Sequence, residues 1–445
     1  MNKKNDVLSV SLPIISQMVV YTFMSIFDMM MVGKYAGNKA VNILGLSNAM
    51  VTILINIIII NGISIGMISI ISRYIGAKDS YKASLFSYNG IMIGMFMGLI
   101  ITAITFLFGN QILHLMGARG DLLYITLSFS KINAVAMFFY IISSLINAMF
   151  IAYGYSYIPL LSSLIQFVTK IFLNYIFMFI LFKNHININV VAISSLISYI
   201  AGFIFCICMV RKYRFKFNIL FKNLKFSLSI AKEIIELSIP SSFEEAAYSI
   251  SRLICTSIIM YSGSMYFSAN EIANTIESIS FMPGTSFGIA TTTLVGIKIG
   301  ERDIKEANRV AFECAFYALI MMCSFSLLFL FMPNFLVKFF VGKGDLKVAY
   351  LAGECLAIGA IEQPLIAVSL VFAGGLKGLG DTKTPFYISV FTAFFIRLPL
   401  IYYFLYILKY SIRAVWWITA LQWGIDGVLM FICFKYKIFK RLTKY

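Results

Sequence analysis

Residues 40–72, AVNILGLSNAMVTILINIIIINGISIGMISIIS, contain no Lys, Arg, Asp, Glu or His, and neither do residues 132–169. About 20 apolar residues cross a bilayer as a helix, so each window is long enough for a complete span. Composition extends that reading to the whole chain. Of 445 residues, 60% are hydrophobic and 12% charged, whereas a soluble chain carries about 25% charged residues. The sequence reads as an all-α integral membrane protein. About twelve transmembrane helices are expected, near 10–33, 43–72, 86–109, 127–152, 160–182, 189–210, 237–262, 272–297, 311–332, 351–373, 386–408 and 413–434.

The charges are unevenly spread between the two faces. With the N-terminus in the cytoplasm, cytoplasmic segments hold 23 Lys and Arg and the opposite face 9, while Lys131, Lys170, Arg252 and Arg397 lie inside spans. That bias puts both termini on the cytoplasmic side of the plasma membrane. It also makes the net charge of +17 a matter of topology, so nucleic acid is not an expected partner. The start, MNKKNDVLSVSLP, lacks an apolar core followed by a small-residue cleavage site, so the first span is expected to be an uncleaved targeting signal. Cysteines 206, 208, 255, 314, 323, 355 and 433 fall within or beside apolar spans and read as small hydrophobes. His114 and His185 fall in predicted external loops, and no glycine-rich loop ends in Lys-Ser/Thr. An enzyme, a cofactor, a structural metal and an obligate protein partner are therefore not expected.

The chain is written twice. RYIGAKDSYKA (73–83) aligns with IKIGERDIKEA (297–307) at an offset of 224, and Leu12-Pro13 matches Ile239-Pro240. YAG (35–37) matches YSG (261–263), and Gly154 and Pro159 match Gly380 and Pro385 at an offset of 226. One register held across six spans predicts two six-helix bundles, 1–215 and 216–445, joined by a basic linker at about 211–232. Both halves start on the same side, which makes the repeats parallel. Parallel six-helix repeats are a transporter architecture with the substrate near mid-membrane.

Polar residues inside spans cost on the order of 2.5–3.5 kcal/mol when ionisable, and they face protein or a wet cavity. Gln17, Tyr21, Ser25 and Asp28 are spaced 4, 4 and 3 and share one face of the first helix. This polar stripe indicates a cavity wall. The competing reading is an Asp satisfied by a neighbouring Lys, Asn or backbone group. The seventh span holds Glu244, Glu245, Tyr248 and Arg252, with the two acids about 100° apart on the helix. One Glu is expected to face the cavity and the other to be tied structurally. The eighth span carries Asn274 and Glu277 before Pro283-Gly284, an expected kink, and the tenth carries Glu362-Gln363-Pro364. Asp426 and Glu313 are weaker candidates. Gln166, Lys170 and Asn174 share a face of the fifth helix, and Lys170 is an available partner for a mid-membrane carboxylate. Methionines 29, 30 and 31 beside Asp28 suit a pliable wall. With no ATP-binding loop, energy is expected from an ion gradient, which buried carboxylates can couple by binding H⁺ or Na⁺ in competition with a cationic substrate.

These residues resemble the MATE (multidrug and toxic compound extrusion) family over most of the chain. The first half contributes SLP, FDMMMVGKYAG and NGISIGMISIISRYIGAKD. The second contributes IPSSFEEAAYSISRLICTSIIMYSGSMYFSANEIANTIESISFMPGTSFGIATTTLVGIKIGERD and AGGLKGLGDTKTPFYISV. The resemblance implies twelve helices in two bundles around a central cleft and H⁺- or Na⁺-coupled export of organic cations. It places the coupling carboxylates at Asp28, at Glu244 (with Glu245 as the alternative) and near Glu362, with Na⁺ sites near Asp28 or Glu244. The cavity set is then Gln17, Tyr21, Ser25, Lys170, Asn174, Tyr248, Asn274, Glu277 and Gln363. Two departures stand out. Lys170 and Asn174 occupy the fifth-helix face where many bacterial members carry Asn and Asp (or two Asn), and YGYSYIP replaces the acid and base of GLGDTKTP in the first half. The embedded cations Lys170, Arg252 and Arg397 keep open a rival reading, a flippase for lipid-linked precursors; a dedicated metabolite or peptide exporter of the same two-bundle superfamily is a further alternative.

Overall fold

The computed structural model describes residues 6–182, 187–213, 225–339 and 346–443, and among them it contains helices and no strand. α1 (Val7–Gly37) runs to a break at Gly37, after which α2 covers residues 40–76. α3 (Ser80–Leu115), α4 (Gly120–Ala152), α5 (Tyr157–Leu181) and α6 (Asn189–Tyr213) follow. α7 is Leu228–Ser262, α8 Ser264–Gly300, α9 Ile304–Phe331 and α10, a short helix, Pro333–Lys338. α11 (Leu346–Gly378), α12 (Lys383–Ile407) and α13 (Arg413–Leu442) complete the chain.

Ten described helices are long and apolar enough to cross a membrane. α7 and α8 are as long but carry Glu233, Glu236, Glu244, Glu245 and Arg252, and Glu271 and Glu277, respectively. Adding them gives about twelve rods. Pro283 sits inside α8 and Pro240 inside α7, and each helix is assigned continuously through its proline. His114 lies in the last turn of α3; His185 and much of the expected 211–232 linker, including its 215/216 boundary, lie outside the described residues.

The chain divides into two compact units, Leu8–Ile239 and, for the most part, Pro240–Tyr445, so the division falls inside α7 at Pro240. Several backbone irregularities recur in both units. Gly37 (φ 70°) ends α1 and Gly263 (φ 140°) follows α7, and at both positions a side chain would be strained. Lys78 (φ 59°) and Arg302 (φ 62°) precede the N-caps of α3 and α9. In those caps the Asp79 carboxylate accepts from the Lys82 N–H at 3.0 Å, and the Asp303 carboxylate from the Glu306 N–H at 2.9 Å. This is the physical content of the repeated G-x-x-D: a left-handed residue followed by a capping acid. π-helical turns close α5 (Ile176–Leu181) and α12 (Tyr402–Ile407) at equivalent places.

The loop between the fourth and fifth helices is tied down in each unit by different chemistry. In the second unit Lys437 of α13 donates to Asp381 and, at 3.0 Å, to Thr384, while the Arg441 guanidinium donates to the Leu379 carbonyl at 2.9 Å. In the first unit the Tyr157 and Tyr213 hydroxyls share a hydrogen bond, and the rings of Tyr155 and Tyr213 lie 5.7 Å apart. YGYSYIP therefore replaces an ionic clasp with an aromatic one.

Packing in the second unit depends on a close approach of α8 and α11. A Cβ on Gly374 would lie 2.1 Å from the Gly288 carbonyl oxygen, and the Thr292 hydroxyl donates to the Gly374 carbonyl at 3.0 Å. Small residues are what let membrane helices approach this closely. Farther along the same two helices Ala269, Ile276 and Leu356 form an apolar cluster with Phe329 of α9. In the first unit Ile142, Ile146, Phe150 and Ile158 form another, between α4 and α5.

Two outcomes are expected. Gly374→Ala forces the backbones apart and should destabilise the purified protein by about 1–3 kcal/mol, read as a lower melting temperature in detergent, whereas Gly45→Ala, which meets open space, should not. For the clasp, burial pushes the Asp381 carboxyl up, but the hydrogen bonds from Lys437 and Thr384 outweigh it and hold the group below the usual carboxylate range. Its contribution is thus complete above the ordinary carboxylate pKa and is lost as pH falls through the lowered one. Asp381→Asn should cost about 1 kcal/mol near neutrality, a difference that closes in acid.

Candidate functional site

Each unit holds a buried polar network, and the two are built from different residues. In the first unit, α5 buries Ser162, Gln166, Lys170 and Asn174, four residues apart, along one stripe. Lys170 forms an ion pair with Asp28 of α1, and the Asn174 side-chain amide donates to the second Asp28 oxygen at 2.8 Å. Asp28 is 7% exposed and Lys170 5%. The ammonium also lies 6.0 Å from the centre of the Tyr199 ring on α6, a cation–π distance. An aromatic ladder continues from there: Tyr140 lies 5.2 Å from Tyr199, and Tyr21 lies edge-on to Tyr140 at 6.1 Å. Gln17 reaches the Tyr21 hydroxyl. Ser25, Met29 and Met30 are exposed, so Ser25 is the member of the first-helix stripe that stays out of the network.

The second unit separates its acids into three environments. Glu244 of α7 pairs with Lys377 of α11 at 2.9 Å. Glu245 is half-buried in the fields of Glu244, Lys377 and Arg252, and Arg252 is itself exposed. The weaker candidate Asp426 proves to be fully buried and thoroughly bonded. It accepts hydrogen bonds from Ser369 at 2.8 Å, Thr392 at 2.9 Å and Tyr248 at 3.0 Å. Tyr248 in turn stacks on Trp423 at 5.7 Å. Glu313 pairs with its helix neighbour Arg309 at 3.5 Å on the surface.

The third environment is the unusual one. Gln363 of α11 donates to Glu277 of α8 at 3.2 Å. Glu362, 1% exposed, has neither carboxylate oxygen hydrogen-bonded among the described residues. Both acids lie in the field of Arg397, whose buried Nε has no partner, and the Trp416 Nε1 and Gln363 Oε1 are likewise unbonded. Asn274 is half-buried, and no hydrogen bond joins it to Glu277 among the described residues. A carboxylate pair in the field of one principal arginine, Arg397, can hold one further proton or monovalent cation. No group of three or more His, Cys, Asp and Glu that could hold a metal ion occurs among the described residues.

Sequence spacing located Asp28, Lys170 and Asn174 but not Tyr140, Tyr199, Lys377 or the hydroxyl cage of Asp426. With 25 tyrosines in the chain, no spacing distinguishes the ones that meet Lys170. Arg397 was visible as an embedded cation, and the tertiary fold supplies its acids.

The MatE family model matches the chain twice, at residues 13–176 and 240–403, close to the register of the internal repeat. The chain is 24% identical over 432 residues to the uncharacterized transporter YisQ of Bacillus subtilis, covering 97% of this chain and 94% of that one. It is 22% identical to the probable multidrug resistance protein NorM of Thermotoga maritima, covering 93% and 88%. In fold it is similar to an outward-facing multidrug resistance MATE family transporter of the MOP superfamily, with a TM-score of 0.91, 18% identity and 98% and 96% coverage. It is also similar to a MOP superfamily transporter from Pyrococcus furiosus, with a TM-score of 0.87, 18% identity and the same coverage. The twofold match, the two-unit helical fold and relatives spanning nearly the whole length show that this multi-pass membrane protein belongs to the MatE family of transporters.

Proposed function

We propose that the protein is a secondary antiporter of the plasma membrane, exporting a cationic or amphipathic small molecule in exchange for H⁺ or Na⁺, with Glu362 and Glu277 as its exchanging site. One observation carries this reading: Glu362 is buried, and among the described residues neither of its oxygens is hydrogen-bonded. An uncompensated carboxylate in such surroundings costs several kcal/mol, a penalty relieved when it binds a proton or a cation. Of the four expected coupling carboxylates, Asp28 and Glu244 already hold lysines, and Glu245 is less buried.

An organic cation approaching the acid pair would compete with the coupling ion, and that competition is the antiport step. Gln363, bonded to Glu277, links the two positions, so occupation of one acid changes the field at the other. The multidrug resistance names of the relatives support a broad small-molecule substrate range. The Lys and Arg bias supports cytoplasmic termini. The embedded cations named for a lipid-linked substrate have less capacity to bind an anion, since Lys170 is engaged by Asp28 and Arg397 acts on Glu277 and Glu362.

Glu362→Gln should lower gradient-driven ethidium efflux from proteoliposomes by about tenfold or more, with the protein still folded and inserted. Imposing H⁺ and Na⁺ gradients separately identifies the ion. Wild-type uphill efflux by the variant under both gradients would sink the assignment.

A further inference from the structure

The two units balance their embedded charge differently. Around Asp28 the count is one to one. One oxygen takes the Lys170 ammonium, the other the Asn174 amide, and the surrounding Gln166, Tyr21, Tyr140 and Tyr199 are neutral. Lys170 is held from a second side by the Tyr199 ring. Around Glu362 the count is two acids to one principal cation, Arg397. Both carboxylates belong to embedded networks, yet only the second leaves an acid for something from outside.

We propose that Lys170 is the permanent cation of the first unit, so that Asp28 takes up no exchangeable ion and this chain moves one coupling ion per cycle, through the second unit. The proposal rests on the reading of Glu362 and Glu277 as the exchanging site. The physical reason is the tether. A cation carried on the same fold competes at an effective concentration in the mM range or above, and it brings no hydration shell that must be rebuilt at each turnover. An incoming proton or Na⁺ would have to break the Lys170–Asp28 pair and leave a buried ammonium facing neutral tyrosines and amides.

The arrangement is confined to the first unit. In the second unit Lys377 pairs with Glu244, but a second acid, Glu245, stands in the same field, and no lysine reaches Glu362 among the described residues. Asp28 is therefore a fixed anchor between α1 and α5, and Lys170 is a positioning residue.

The test needs no knowledge of the natural substrate. Dicyclohexylcarbodiimide reacts with protonated carboxyls in apolar surroundings: a new bond joins the carboxyl oxygen to the carbodiimide carbon, the proton passes to nitrogen, and the peptide gains the mass of one reagent. In sodium-free, mildly acidic buffer the purified wild-type protein should be labelled at Glu362 or Glu277 and not at Asp28. Lys170→Met should become labelled at Asp28, and Lys170→Arg should not. Labelling of Asp28 in the wild type overturns the proposal, and so does an unlabelled Asp28 in Lys170→Met.

Ethidium transport at clamped zero potential gives a second readout. One coupling ion supports a substrate gradient of about tenfold for a tenfold ion gradient, and two support about a hundredfold. Wild type should show the first ratio and Lys170→Met the second. If Lys170→Met does not fold, the double variant Asp28→Asn/Lys170→Met, which removes both charges together, should keep the wild-type ratio whatever its rate; loss of coupling there overturns the proposal. Full coupling in Glu362→Gln, together with a wild type unlabelled at both Glu362 and Glu277, would instead defeat the antiport site and leave the Asp28 result standing.

Discussion

A charge inside an apolar helical bundle persists when something compensates it, and the polar interior of this transporter follows from that constraint. An exposed ion pair contributes little, about 0–1 kcal/mol. A buried pair stripped of one partner costs about 3–5 kcal/mol. That asymmetry explains why Asp28 meets both Lys170 and Asn174, why Glu244 meets Lys377, and why Asp426 is surrounded by three hydroxyl donors. It also makes Glu362 conspicuous, because its oxygens have no such partners among the described residues.

The two units share a backbone plan without sharing chemistry. Left-handed residues, capping aspartates and closing π turns recur at matching positions. These are local features set by the few residues around each turn, so duplication preserves them. The embedded charges do not recur. The first unit places its acid on α1 and its cation on α5; the second places acids on α7, α8, α11 and α13. The two units thus share a fold while their embedded charges differ in number and placement. The clasps show the same freedom: two tyrosines in one unit do the work of an aspartate and a lysine in the other.

Much of the architecture was determined by the sequence alone. Charge-free windows set the membrane class because a charge at mid-span is expensive, and the recurrence of G-x-x-D and Y-x-G at one offset set the duplication. Helical spacing was enough to put Gln166, Lys170 and Asn174 on one face, because side chains four residues apart on a single helix are neighbours wherever that helix packs. The same spacing left open whether Asp28 lined a cavity or was satisfied by a Lys or an Asn.

Only the tertiary structure decided that question, and it gave Asp28 both partners from α5. It also ranked the acids: Glu244 tied, Asp426 caged, Glu277 bonded to Gln363, Glu362 unbonded. The reason is physical. The state of a buried carboxylate depends on what stands within about 3–4 Å of its oxygens, and those groups come from helices distant in the chain, whose rotation and depth are set by seams such as Gly288 against Gly374. Periodicity along one helix says which side chains share a face; it does not say which neighbouring helix that face meets.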